Sequence, residues 1–221
     1  MVQIGDLTGL LLVILSISVL PFIAMVITCY TKIVVVLGLL RNALGVQQVP
    51  PNMVLNGIAI LVSVYVMAPV GIAAMNNMQS VPASSAAGGS NTTTTVIAGF
   101  TAAREPFRQF LMKHAHQREK LFFLRSAAAI WPKEQAAALK QDDLMVLAPA
   151  FTLSELTDAF KIGFLLYIAF IVVDLIIANV LLAMGLNQVS PTNIAIPFKL
   201  LLFVVMDGWS TLIHGLVLSY K

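Results

Sequence analysis

The sequence has few charged residues and a single cysteine. Only 10% of its 221 residues are Asp, Glu, Lys or Arg, whereas about 25% is usual in a soluble domain, and 59% are hydrophobic. Lipid or other protein must therefore surround much of the chain. Because Cys29 has no second cysteine to pair with, no disulfide can form within the chain, and the cysteine count does not identify the redox compartment.

The charges that are present do not form a basic stripe. The formal net charge is +3, but nine of the thirteen Lys and Arg residues lie between Arg104 and Lys161, together with seven of the ten acids. Such a mixed, solvated surface is not typical of nucleic-acid binding. We expect no nucleic-acid partner.

The sequence also lacks the motifs of an enzyme. It contains no nucleophile and base pair, no glycine-rich phosphate loop and no cysteine cluster. His114 and His116, on an exposed helix, would bind a metal only weakly. We expect no catalytic residue, no metal and no cofactor.

Long apolar segments dominate what is present. Four of them occur, at Leu7–Leu40, Met53–Met75, Ile162–Met184 and Ile194–Tyr220. As one helix the first would extend about 50 Å, against a hydrocarbon core of about 30 Å, so we expect it to bend or to leave the bilayer. Pro21 is the natural break, and the polar cluster Thr28–Lys32 follows within two turns. Its only early charge is Asp6 and it is longer than a signal-peptide core, so we expect it to be retained.

A glycine and a double proline separate the first two segments. They predict the end of one helix, a turn and the start of the next. The residues of this hairpin turn are Arg41, Asn42, Gly45, Pro50 and Pro51.

The region between the second and third segments is polar. A small, polar loop over residues 76–100 precedes an amphipathic helix predicted at Ala103–Ala129 and a short helix at Pro132–Lys140. Thr152 and Glu155 have the spacing of a capping box, which predicts that a long helix begins there.

These patterns together predict an all-α polytopic membrane protein, in which two helical hairpins flank a small helical polar domain. The predicted boundaries are 1–75 for the first hairpin, 76–151 for the polar insert and 152–221 for the second hairpin.

Four charges lie inside apolar segments, where each costs roughly 2.5 to 3.5 kcal/mol. They are Lys32, Asp174, Lys199 and Asp207. The two lysines lie near segment ends, where they could snorkel to the interface. Asp174 is too short to do so, and we expect a cationic partner within the chain or on another subunit. Its alternative use is as a proton or cation site in a small-solute transporter, although the two hairpins show no inverted repeat.

Three stretches resemble the SctR/FliP family, the core membrane component of type III secretion and flagellar export machines. The stretches are Leu39–Gly45 with Pro50–Asn52, Pro149–Leu156 with Ala159–Phe164, and Pro197–Leu201 with Asp207–Trp209. The resemblance covers nearly the whole chain except the loop from Asn76 to Ala103. The absence of a cleaved signal favours the injectisome branch (YscR/HrcR/SpaP-like) over the flagellar one.

The resemblance implies a non-enzymatic subunit of an export gate for unfolded proteins. About five copies would form a helical ring with SctS/FliQ-like and SctT/FliR-like subunits and further export components. The gate would lie in the bacterial inner membrane, in contact with lipid, with the polar insert in the periplasm. The alternatives are the transporter centred on Asp174 and a membrane scaffold without a pore.

The resemblance also implies roles for particular residues. Asp174 and Lys199 match positions expected to form salt bridges between subunits, and Lys32 occupies the basic position of the first hairpin. The loop after Met184 matches a methionine-rich gasket around the pore, but here Leu186, Asn187 and Gln188 stand in the gasket positions. We therefore expect a gate formed by the leucine with a polar ring of Asn and Gln.

Overall fold

The computed structural model describes residues 4–80, 92–186 and 188–221, which form helices and no strand. The helices are α1 (Ile4–Ile27), α2 (Tyr30–Ala43), α3 (Asn52–Gln79), α4 (Thr92–His114), α5 (Gln117–Ile130), α6 (Lys133–Ala138), α7 (Leu144–Ala183), α8 (Pro191–Val205) and α9 (Gly208–Leu218). The predicted all-α class is confirmed.

Two of these helices, α3 and α7, are long and apolar enough to cross a membrane. The number rises to four if Pro21–Ile27 with Tyr30–Ala43, and α8 with α9, are each counted as one broken span. Large apolar side chains on the spans are exposed, including Leu61 (72%) and Phe164 (64%). Because water would solvate such surfaces poorly, the described helices fit a polytopic membrane protein.

The chain divides into two compact units. Unit 1 comprises Met1–Cys29 and Met67–Ser154, and unit 2 comprises Tyr30–Val66 and Glu155–Lys221. Each unit therefore combines distant parts of the sequence, whereas the predicted segments are consecutive. The segment boundaries remain a prediction.

The core of unit 1 lies where α4 and the first turns of α7 meet. Ile27, the last residue of α1, and Phe123 of α5 also pack against this core. Thr152 Oγ1 of α7 lies 3.1 Å from the Val26 carbonyl oxygen, so the end of α1 lies beside α7. The fully packed core residues are Leu111, Ala115, Leu147, Ala150 and Phe151.

The core of unit 2 combines α2, α7, α8 and α9. Phe203 stands edge-on to Trp209, with ring centroids 5.4 Å apart, and also contacts Phe170. Such tilted arrangements suit the quadrupoles of aromatic rings. The buried residues of this core are Leu40, Ala43, Leu44, Phe170 and Phe203.

The predicted bend of the first apolar segment is confirmed, since Pro21–Ile27 and α2 are inclined by 73°, but its predicted position at Pro21 is wrong. Helix α1 continues through this proline to Ile27, and the chain leaves the helix only at Thr28–Cys29. A proline removes one backbone donor and can be accommodated within a helix. The Thr28 hydroxyl donates to the Ala24 carbonyl at 2.6 Å and so takes over an acceptor at the helix end.

The capping box predicted at Thr152 is also wrong, because α7 begins two turns earlier, at Leu144. The Thr152 hydroxyl donates to the carbonyl of Ala148, four residues earlier in the same helix. The Glu155 carboxylate does not cap α7 and instead pairs with Lys32 of α2.

Two further helices that the sequence predicts as continuous are broken. The amphipathic helix divides into α4 and α5 at Ala115–His116, where the His116 amide donates to Ser154 Oγ at 2.8 Å. The last apolar segment divides into α8 and α9, which are inclined by 61°. At that break Asp207 has a left-handed backbone (φ 47°).

Candidate functional site

Two lysine side chains are buried in unit 2. Lys32 on α2 is 4% exposed and Lys199 on α8 is 5% exposed. The alternative in which they snorkel is therefore wrong for the described chain. Because an unpaired buried ammonium would be very unfavourable, each of them needs an anionic partner.

Lys32 pairs with Glu155 of α7. Their charged atoms lie 2.9 Å apart, and the two side chains are 6% and 2% exposed. The Tyr220 hydroxyl donates to the other carboxylate oxygen of Glu155, and Lys32 Nζ lies 4.3 Å from the centre of the Tyr220 ring. Both carboxylate oxygens and the ammonium are thus satisfied within one buried cluster, which we call the Lys32 cluster.

Lys199 pairs with Asp174 of α7. Its Nζ donates to Asp174 Oδ2 at 2.6 Å and to the Ala43 carbonyl, at the end of α2, at 3.1 Å. The cationic partner expected for Asp174 is thus present within the chain. The arrangement also gives the α2 terminus a cation, which stabilises its unpaired carbonyls.

Asp174 is less completely satisfied than Lys199. Its side chain is 41% exposed overall, but the oxygen Oδ1 is itself buried and has no hydrogen-bond partner in the described structure. An unsatisfied buried carboxylate oxygen costs roughly 1 to 3 kcal/mol or more. The oxygen is therefore an unsatisfied acceptor inside unit 2, and only the exposed part of the Asp174 side chain can contact another molecule directly.

Asp207 does not share this environment. It is exposed and forms the left-handed corner before α9, without a side-chain cap. The break between α8 and α9 places it on the outside of the described chain. Its expected contact with another subunit remains a prediction.

The predicted hairpin turn joins α2 to α3. Arg41 donates to Asn52 Oδ1 at 2.6 Å and, at 3.3 Å, to the carbonyl of Pro50, which Pro51 follows. Gly45 has φ 75°, and a Cβ there would lie 3.2 Å from the Ile196 side chain. Asn42 accepts a hydrogen bond from the Gly45 amide.

The predicted gasket loop connects α7 to α8. It begins after Gly185, whose φ of 74° suits the end of a helix. Leu186 is 41% exposed and Gln188 is exposed, while Asn187 lies outside the described residues. Their role in a gate remains a prediction.

The polar insert has an ion-pair cluster of its own. Arg108 on α4 donates to Glu105 at 2.8 Å and to Asp142, which precedes α7, at 2.7 Å. The bonds from Arg108, with help from Gln109, lower the pKa of Glu105 to about 2. Because this pKa is depressed, any stability that the pair contributes is present at neutral pH and is lost as the pH falls from about 4 towards 2.

The described residues contain no group of three or more His, Cys, Asp or Glu side chains placed to hold a metal. What unit 2 offers instead is two ion pairs that join three helices, α2, α7 and α8. This arrangement positions helices and leaves one buried acceptor, Asp174 Oδ1, without a hydrogen-bond partner in the described chain.

The model of the FliP family matches residues 11–216. The chain belongs to the FliP family. The match includes both buried lysines and both of their acids, but not Tyr220.

Curated relatives are similar along the whole chain. The "Pathogenicity-related ORF2" of Xanthomonas campestris pv. glycines is 66% identical over 99% of this chain and 100% of that protein. The "Hypersensitivity response secretion protein HrcR" of Ralstonia nicotianae is 65% identical over 98% of each chain. The "Yop proteins translocation protein R" of Yersinia pestis is 49% identical over 100% of this chain and 99% of that protein. With its apolar helices, this FliP family member is a membrane protein.

The sequence prediction missed two members of the Lys32 cluster in this FliP family chain. Glu155 was interpreted as a helix cap, and Tyr220 was assigned no role. A lysine in an apolar segment does need an anion, but the sequence does not indicate that Glu155 supplies it. Nothing in the local pattern singles out Tyr220.

Proposed function

We propose that the chain is a core subunit of the type III secretion export apparatus, of the injectisome branch. With SctS/FliQ-like and SctT/FliR-like subunits, and in about five copies, it forms the export gate for unfolded proteins in the inner membrane. The observation that carries the proposal is whole-length similarity to relatives whose names describe secretion and translocation. The chain's role is structural and not enzymatic.

The geometry of unit 2 supports a role in a rigid assembly. Its ion pairs fix three helices, α2, α7 and α8, relative to one another, and the Asp174 side chain is 41% exposed. In the proposed ring a neighbouring subunit packs against this exposed part of the side chain and supplies the donor that Oδ1 lacks within the described chain. A transporter centred on Asp174 is the second candidate, but the 2.6 Å bond to Lys199 already occupies one oxygen of that carboxylate.

The proposal also orients the chain. The polar insert faces the periplasm, as the family resemblance implies. A cysteine introduced at Gln135, which is exposed on α6, in a Cys29→Ala background, should react with a membrane-impermeant maleimide added from the periplasmic side. If the cysteine is labelled only after the inner membrane is opened, the polar insert faces the cytoplasm and the proposed orientation is wrong.

The test is native mass spectrometry of the detergent-solubilised chain co-expressed with SctS-like and SctT-like partners. We expect a hetero-oligomer with several copies of this chain, and a strong loss of that oligomer in Asp174→Asn. The matched control is Asp158→Asn, which removes a carboxylate from an exposed pair with Lys161 and should assemble normally.

Because Asp174→Asn leaves Lys199 buried and unpaired, a second variant is needed. Asp174→Asn with Lys199→Met removes both charges and leaves no unpaired lysine. If the only role of Asp174 is to pair with Lys199 within the chain, this double variant should assemble normally. That result would contradict the proposed contact of Asp174 with a neighbouring subunit. A wild-type chain that stays a monomer or dimer with its partners would overturn the export-gate proposal and favour the transporter.

A further inference from the structure

Helix α5 in unit 1 has two different faces. Its inner face carries Ala127, which is buried, and Phe123, which packs against the core of that unit. Its outer face carries residues at helical spacings of three and four, so they share one side. These outer residues line a shallow groove and are Arg118, Leu121, Phe122, Arg125, Ser126 and Ala129.

The two arginines of this outer face are weakly compensated. The Arg118 side chain is 93% exposed, and its contact with Glu119 is long, at 3.8 Å. Arg125 is exposed and has no ion pair in the described part of the chain. Because they are seven residues apart, their backbones are separated by about 10.5 Å along the helix. The face therefore presents two cations in a row.

Exposed apolar side chains accompany these cations. Phe122 lies between them and is 55% exposed, and Ile130 at the end of α5 is 77% exposed. Trp131 follows at 36% exposure, and Lys133 begins the next helix. Arginine, phenylalanine and tryptophan exposed together are typical of helices at the membrane interface, where the cation meets phosphate and the ring enters the acyl boundary.

The position of α5 in unit 1 fits this environment. Phe123 on its inner face and Ile27, the last residue of α1, pack against the same core. Most of the described side chains of α1 are exposed and apolar, including Leu11 (64%) and Phe22 (71%). Helix α5 therefore shares its core with a helix whose own surface is apolar enough to contact lipid.

We propose that the outer face of α5 is a docking surface for anionic phospholipid. Arg118 and Arg125 bind headgroup phosphates, and Phe122, Ile130 and Trp131 enter the boundary between headgroups and acyl chains. The surface anchors the polar insert to the membrane from which it emerges. This inference does not depend on the export-gate proposal, because it rests on unit 1 alone.

The test uses the full-length chain in nanodiscs of phosphatidylcholine with increasing phosphatidylglycerol. Native mass spectrometry counts the phosphatidylglycerol retained by the wild type, by Arg118→Gln/Arg125→Gln and by the control Arg104→Gln/Lys113→Gln. The control removes two exposed charges of the same unit that lie outside the groove. We expect selective retention in the wild type and the control, and about a 30-fold weaker preference in the Arg118/Arg125 variant.

A second readout reports the position of Trp131. In a Trp209→Phe background, Trp131 is the only tryptophan, and lipids brominated near the headgroup should quench its fluorescence more in anionic nanodiscs than in neutral ones. Loss of this difference in the Arg118/Arg125 variant supports the proposal. Equal lipid retention in all variants, or equal loss in the control, overturns it. If the Arg118/Arg125 variant loses oligomers but keeps its lipid, the face is a contact between protein subunits and the proposal is wrong.

Discussion

Buried charge is the residue-scale feature that distinguishes this chain from an ordinary bundle of apolar helices. Glu155 accepts one bond from Lys32 and one from Tyr220, so neither of its oxygens is left to lipid or water. The attraction within such a cluster roughly offsets the desolvation of its members. The cluster therefore contributes mainly by fixing the relative positions of its members, because a member that moves leaves the others unpaired.

We predict that Lys32→Met destabilises the chain by about 3 to 5 kcal/mol, because it leaves Glu155 buried without its cation. Lys32→Met with Glu155→Gln should recover most of this loss, since glutamine carries no charge and can still accept from Tyr220. Unfolding in mixed micelles, followed by circular dichroism, measures the difference.

The control for this prediction is Lys161→Gln. Lys161 forms an exposed pair with Asp158, and its removal should change stability by no more than about 1 kcal/mol. A double variant as unstable as Lys32→Met would show that the cluster does not act through charge pairing.

At the scale of the helices, close approach of backbones sets the packing of unit 2. Gly163 of α7 lies against Leu39 of α2, so that a Cβ added at residue 163 would collide with the Leu39 side chain, including its Cβ at 3.0 Å. The clash cannot be relieved by rotating the end of the leucine alone. This approach brings α2 near α7 in the same unit that holds the Lys32 cluster.

We predict that Gly163→Ala destabilises the chain by about 1 to 3 kcal/mol through overpacking. The matched control is Gly57→Ala on α3, in the same unit, where an added Cβ meets nothing within 4 Å. Because alanine favours helix more than glycine does, the control should be neutral or up to about 1 kcal/mol more stable. Equal effects of the two substitutions in the same unfolding assay would contradict the proposed contact.

The sequence patterns predict the class of these helices better than their ends. Apolar length identifies the spans, and Gly45 with the double proline identifies the turn between α2 and α3. The break at Asp207 is not visible in the hydropathy, because apolar residues continue on both sides. In the structure Gly208 sits against the ring of Phe203, where a side chain would clash, so tertiary packing fixes this corner.

At the scale of the whole molecule, the candidate site was only partly predictable. Lys32, Asp174 and Lys199 could be singled out because charge in an apolar segment is unfavourable wherever it lies. Their pairing could not, since Glu155 and Tyr220 are distant in sequence and only the fold brings them to Lys32. The family resemblance predicts an assembly, but only the folded structure identifies the partner of each buried charge within the chain.

The loop between α7 and α8 carries the prediction that concerns the assembled molecule. We predict that replacing Leu186, Asn187 and Gln188 by glycine lets small solutes leak when the chain is expressed with its partners, because the proposed gate would lose its side chains. Glycine at Val189 and Ser190, just beyond the predicted gate, is the control. Entry of a normally excluded dye or antibiotic measures the leak, and unchanged entry would remove the loop from the gate.

The distance along the chain between the partners of the Lys32 cluster matters during synthesis. Lys32 and Glu155 are separated by 155 − 32 = 123 positions. At roughly 5 to 20 residues per second, the ribosome needs about 6 to 25 seconds to reach the glutamate after the lysine. During that time α2 carries a lysine with no carboxylate from α7 to receive it. The helix can therefore reach its final position only after most of the chain has been made.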